Sequence, residues 1–125
     1  ESGYLEHSLS VRRVWDSLKR IGVLIALDDF GTGYSNLSSI SNFTPDYVKL
    51  DRGFTVKALN NSYENTLMKH IIDLVHSVEL KIVVEGVETE DELHRLNNME
   101  PDYIQGYFYS KPCCRTEFFE RYGVA

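Results

Sequence analysis

Hydrophobic positions along this chain switch repeatedly between two periods. From Leu5 to Arg20, apolar residues at Leu9, Val11, Val14, Trp15 and Leu18 recur at helical spacing, and Gly22 supplies a stop. Gly22-Val-Leu-Ile-Ala-Leu27 is a continuous apolar run ending in Asp28-Asp29, the pattern of a parallel strand covered on both faces. A short helix is expected over Ser35–Asn42, and a second strand over Asp46–Asp51, introduced by Pro45. Asn61 to Val78 places Leu67, Met68, Ile71, Leu74, Val75 and Val78 on one helical stripe. Lys81–Glu85 reads as a third strand, and Thr89 with Glu92 three residues on forms a capping box that opens another helix. Asp102–Gln105 reads as a short fourth strand and Arg115–Tyr122 as a terminal helix. One helix followed by four strand–helix units predicts an α/β fold with parallel strands and right-handed crossovers.

The polar residues have a positional pattern of their own. Asp28 and Asp29, Lys49 and Asp51, Glu85 and Glu88, and Gln105 all fall at or just past the C-terminal end of an expected strand. In parallel α/β folds those ends converge on one rim, where ligands bind. A single charged residue at a strand end is ordinary loop chemistry. Four successive strands ending in carboxylate, lysine, carboxylate and amide point to a shared site. Several carboxylates on one rim repel each other unless cations bridge them. Oxygen donors of this kind suit Mg²⁺ or Mn²⁺, and adjacent aspartates can hold two ions for in-line attack on a phosphodiester. A lysine beside them can stabilise phosphate charge or orient the attacking water.

Composition narrows the class. The 125 residues include 13 Lys+Arg against 19 Asp+Glu, a formal charge of −6, with 42% hydrophobic residues. That balance fits one soluble globular domain, expected in the cytoplasm, and argues against a nucleic acid polymer as partner. No run of about 18 apolar residues is present. The two cysteines, Cys113 and Cys114, are neighbours and are expected to stay reduced; His7, His70, His76 and His94 are too scattered for a zinc site.

Three other patterns compete. Gly31-Thr-Gly33 after a strand invites a dinucleotide-binding loop, with Asp51 near the ribose-binding position, but the third glycine is Asn36 and two aspartates precede the loop. The glycines then serve a tight loop with positive φ. A receiver-like domain of the flavodoxin class fits the length, yet it needs five strands and an aspartate where Glu85 stands. Tyr103, Tyr107, Phe108 and Tyr109 could stack on bases, although all but one are expected in the core.

Four motifs, in order, carry a family resemblance. Asp28-Asp-Phe-Gly-Thr-Gly-Tyr-Ser-Asn-Leu37 resembles the DDFGTGYSSL loop of EAL domains, the cyclic di-GMP phosphodiesterases of bacteria. Asp46-Tyr-Val-Lys-Leu-Asp51 resembles the D-x-[IVL]-K-[IL]-D strand of that family, and Val83-Val-Glu-Gly-Val-Glu-Thr89 its VAEGVET motif. Gln105-Gly-Tyr-Phe-Tyr-Ser-Lys-Pro112 resembles its QGY…KP motif. The small departures, Asn36 for serine and Val84 for alanine, remove no metal-binding atom.

The resemblance implies roles position by position. Asp28 and Asp29 would bind two catalytic metals, Mg²⁺ or Mn²⁺, with Asp28 bridging. Lys49 would contact the hydrolytic water and scissile phosphate, Glu85 would be a metal ligand or base, and Gln105 would help fix the second metal site and bind substrate. Asp51, Glu88, Gly31 and Gly33 would support, the 30–37 segment being the family's mobile loop. The Glu-Ala-Leu motif that names the family is absent, and Glu1-Ser2 resembles the tail of its LEITES-type strand. EAL domains resemble (β/α)₈ barrels of ~250 residues, about 31 per unit, so four units account for about 125. The expectation is therefore the C-terminal half of a TIM-like barrel over residues 1–125, inactive alone and prone to a homodimer or other self-association. The parent is expected to hydrolyse cyclic di-GMP and to carry sensory or cyclase-like domains. A non-catalytic EAL-like module that binds the nucleotide or a partner protein is the other reading.

Overall fold

The structure, a computed structural model, describes residues 2–31, 40 and 43–123, with side chains from Leu9 onward. Helix α1 (Ser2–Arg20) is followed by β1 (Ala26–Phe30), β2 (Tyr47–Leu50), α2 (Arg52–Asn60) and α3 (Ser62–Ser77). Then come β3 (Lys81–Glu85), α4 (Glu90–Asn97), β4 (Tyr103–Gln105) and α5 (Arg115–Tyr122). The four strands form one parallel sheet in the order β1-β2-β3-β4. That monotonic order is the arrangement of a barrel arc. The dinucleotide-binding and flavodoxin-like folds both reverse their strand order at a switch point, so neither alternative survives.

Among the described residues, only one face of the sheet is buried. Val48 and Leu50 of β2, Ile82 and Val84 of β3, and Phe30 of β1 pack under Phe54, Ala58 and Leu59 of α2, Met68, Ile72 and Val75 of α3, and Leu96 of α4. The alternate positions, Tyr47, Lys49, Val83, Glu85, Tyr103 and Gln105, remain half-buried or exposed on the other face. This corrects the expectation for the first strand. The run from 22 to 27 is not a strand buried on both sides: Val23 and Leu24 are 41% and 64% exposed, and β1 starts only at Ala26. The run is apolar, but helices cover a single face of this sheet.

Helix boundaries follow local chemistry. After α1, the Gly22 amide bonds to the Lys19 carbonyl and the Val23 amide to that of Leu18, the paired bonds of a Schellman stop. Thr89 accepts from the Glu92 amide while the Glu92 carboxylate receives the Thr89 amide, which is the expected capping box. Helix α2 was not legible: Gly53, Thr55 and Val56 are weak helix formers. It forms because Asp51 caps it and because Phe54, Thr55, Ala58 and Leu59 are buried. Asn61, extended at φ −140°, ends α2 and caps α3 through the Tyr63 amide. The short helix expected over 35–42 lies almost wholly outside the described residues.

The end of the sheet opposite the rim carries a twice-used stitch. Asp46, just before β2, accepts from the Ile25 amide at 2.8 Å and pairs with Lys19 of α1 at 2.9 Å. Asp102, just before β4, accepts from the Ile82 amide at 2.8 Å and meets His76 Nε2 of α3 at 2.7 Å. Each aspartate thereby ties its own strand to the start of the neighbouring strand and to the last turn of the helix before that neighbour.

Candidate active site

The site begins with an irregularity in β1. In a regular strand, successive side chains point to opposite faces, so Asp28 and Asp29 should diverge. The β1–β2 register instead shifts between Leu27 and Phe30, and Asp29 takes a left-handed φ of 55°. The bulge re-aims the pair. Carboxylate oxygens of Asp28, Asp29 and Glu85 consequently lie within 4.8 Å of one another. The aspartates thus sit inside β1 rather than beyond its end. Gly31 follows at φ +94°, where a Cβ would press on the Phe54 ring at 3.2 Å. Gly33 lies outside the described residues.

Lys49 and Glu85 come from adjacent strands on the open face. β2 and β3 pair Lys49 with Val83, which sets Glu85 two residues further along the same face. The Lys49 ammonium is 2.8 Å from Glu85 Oε1 and 4.0 Å from Asp28 Oδ1. The hydrogen bond to Glu85 raises the Lys49 pKa, burial opposes it, and the charges of Glu85, Asp28 and Asp29 add to the rise. Lys49 therefore stays protonated across the neutral range. It is built to donate and to neutralise, not to accept a proton.

The remaining expected residues divide. Gln105 pairs in register with Glu85 across β3 and β4 and lines the rim cavity. That cavity of about 510 Å³ also takes in Arg52, Glu88, Lys111 and Tyr122. Glu88 is held by Arg52 at 2.6 Å and is not part of the three-carboxylate cluster. The Asp51 carboxylate serves as the α2 cap, accepting from the Gly53 amide at 2.8 Å. The aromatic expectation fails: Tyr103, Tyr107, Phe108 and Tyr109 are 49%, 54%, 38% and 56% exposed, because they lie on the open face and in the rim loop. Arg52 was missed, since a lone arginine after a strand carries no sequence signal until the fold lays it against the Glu85–Glu88 turn.

Three converging oxygen donors with a single lysine among them fit one or more hard divalent cations. A parallel α/β sheet of this order with carboxylates clustered at the C-terminal ends of its strands is a barrel-type scaffold with a candidate divalent-cation site. The sequence comparisons place it more narrowly. The EAL domain profile matches residues 1–112, and the chain belongs to that family. The cyclic di-GMP phosphodiesterase PdeL of Escherichia coli is 32% identical over 111 residues, which cover 89% of this chain and 31% of PdeL. The EAL domain of Mycobacterium smegmatis DcpA superimposes with a TM-score of 0.84 at 33% identity, over 93% of this chain and 52% of that one. BlrP1 of Klebsiella pneumoniae, solved with manganese and cyclic di-GMP, gives a TM-score of 0.76 at 31% identity, over 82% of this chain and 26% of that one. The chain thus spans about half of a solved EAL domain and less than a third of PdeL.

Proposed function

We propose that this chain is the C-terminal half of an EAL domain that hydrolyses cyclic di-GMP to linear pGpG, adding water across one phosphodiester bond. The observation that carries the proposal is the convergence of Asp28, Asp29 and Glu85 beside the Lys49 ammonium, whose charge the Glu85 carboxylate favours. Asp28, Asp29 and Glu85, with Gln105 alongside, would hold Mg²⁺ or Mn²⁺. Bound there, the ions would polarise the phosphodiester and lower the pKa of an attacking water. Lys49 would donate to a phosphoryl oxygen and offset the charge that develops on it. Glu85, tethered by Lys49, keeps its carboxylate aimed into the cluster. Glu88, Asp51 and Gly31 support the rim and its loops. BlrP1, solved with manganese and the nucleotide, supports the choice of metal and substrate.

Expressed with the rest of its domain and given Mg²⁺ or Mn²⁺, the protein is expected to convert cyclic di-GMP to pGpG, followed by chromatography. The 125-residue chain alone should turn over little or none. Robust turnover by the chain alone would overturn the half-site assignment. Tight nucleotide binding without hydrolysis by the intact domain would establish the non-catalytic module instead. No described helix is long and apolar enough to cross a membrane. On this proposal the domain works in the cytoplasm, within a parent that carries sensory or cyclase-like domains.

A further inference from the structure

We infer that Arg52 is a positioning residue for the metal cluster, acting through the turn that follows Glu85; the inference rests on the metal-binding reading of Asp28, Asp29 and Glu85. Glu85 ends β3, and Gly86 directly after it turns left-handed at φ +92°. The space where a Gly86 side chain would stand is filled by the Cα, Cβ and Cγ of Arg52. The arginine stem therefore lies along the turn, and its guanidinium closes on Glu88 Oε1 at 2.6 Å. One side chain grips the turn at both ends, two residues apart.

Arg52 is itself fixed. It is the first residue of α2, whose cap is the Asp51 carboxylate, and the Asp51 amide bonds to the Phe30 carbonyl of β1. A continuous path therefore runs from the strand bearing Asp28 and Asp29, through Asp51 and Arg52, to the turn bearing Glu85. From the other side, the Gly86 and Val87 amides bond to the Gln105 carbonyl at 2.9 and 3.3 Å. The three carboxylates repel one another, so their spacing must be imposed by the backbone that carries them. Lys49 holds the Glu85 carboxylate itself, and Arg52 adds a second side-chain constraint, on the turn that follows it.

The sign of the effect on metal affinity separates positioning from simple charge. Deleting a cation near a metal site should tighten binding of another cation. Loss of positioning should weaken it. Arg52→Met keeps most of the stem and removes the head. Mn²⁺ affinity, measured by calorimetry on the chain joined to the rest of its domain, is expected to fall about threefold in Arg52→Met, the scale of a half-exposed ion pair and an outer-shell contact. The charge-swapped double variant Arg52→Glu with Glu88→Arg keeps the net charge and should return affinity to within about twofold of the parent. Hydrogen exchange of the Gly86 and Val87 amides should quicken in Arg52→Met and recover in the double variant. Unchanged or tighter Mn²⁺ binding in Arg52→Met overturns the inference, as does a double variant no better than the single one. If the unaltered chain joined to the rest of its domain takes up no Mn²⁺, the metal reading falls; unchanged exchange at Gly86 and Val87 then overturns the clamp as well, whereas quickened exchange upholds it.

Discussion

Asp29 shows why residue identity and residue direction are separate facts. Two adjacent aspartates are visible in the sequence, but a regular strand would send them to opposite faces. The left-handed backbone at Asp29 and the shifted register bring both to the rim. In the intact domain, Asp28→Asn and Lys49→Met are each expected to cut cyclic di-GMP turnover by about 100-fold or more without unfolding the protein, checked by steady-state kinetics beside circular dichroism. Asp102 belongs to the opposite end of the sheet. Burial works to raise its pKa, but the Ile82 amide, His76 and Lys81 together hold it below the ordinary aspartate value. A depressed folded pKa contributes stability that is present above the unfolded value near 3.9 and lost as pH falls through the folded value. Asp46, held down against burial by the Ile25 amide and Lys19, acts in the same direction. The urea midpoint should therefore drop below about pH 4, and Asp102→Asn should flatten that drop while lowering the midpoint at neutral pH.

Elements with local signals matched their expected places. The capping box at Thr89, the strand Lys81–Glu85 and the helix Arg115–Tyr122 all formed where the sequence marked them; the box closes within four residues, whereas the strand is held by its ladders to β2 and β4. Thr89→Ala should cost about 1 kcal/mol, read from denaturant unfolding, since it strips the acceptor from the Glu92 amide. Helix α2 and the start of β1 were decided elsewhere. The residues of α2 have mediocre propensity, and burial against α3 and β3 overrides it. The apolar run from residue 22 looked like a doubly covered strand, yet its first residues have no neighbouring layer to enter.

On the scale of the whole molecule, the four parallel strands among the described residues leave β1 and β4 each with one described partner, and their open face carries Tyr47, Val83 and Tyr103. Unpaired edges and an uncovered apolar layer favour association. Concentrated solutions of the chain are expected to contain dimers or larger assemblies, which light scattering would detect. A well-folded monomer at high concentration would count against that expectation.

The order of strands and helices, the acidic rim and the family motifs were settled by the sequence, because periodicity, caps and charged strand ends are local patterns. Tertiary structure alone decided which face of the sheet is covered, how two neighbouring aspartates come to share a face with Glu85, and why Arg52 matters. Those three depend on register and on close approach between segments distant in the chain, and a linear pattern of residue types does not contain either.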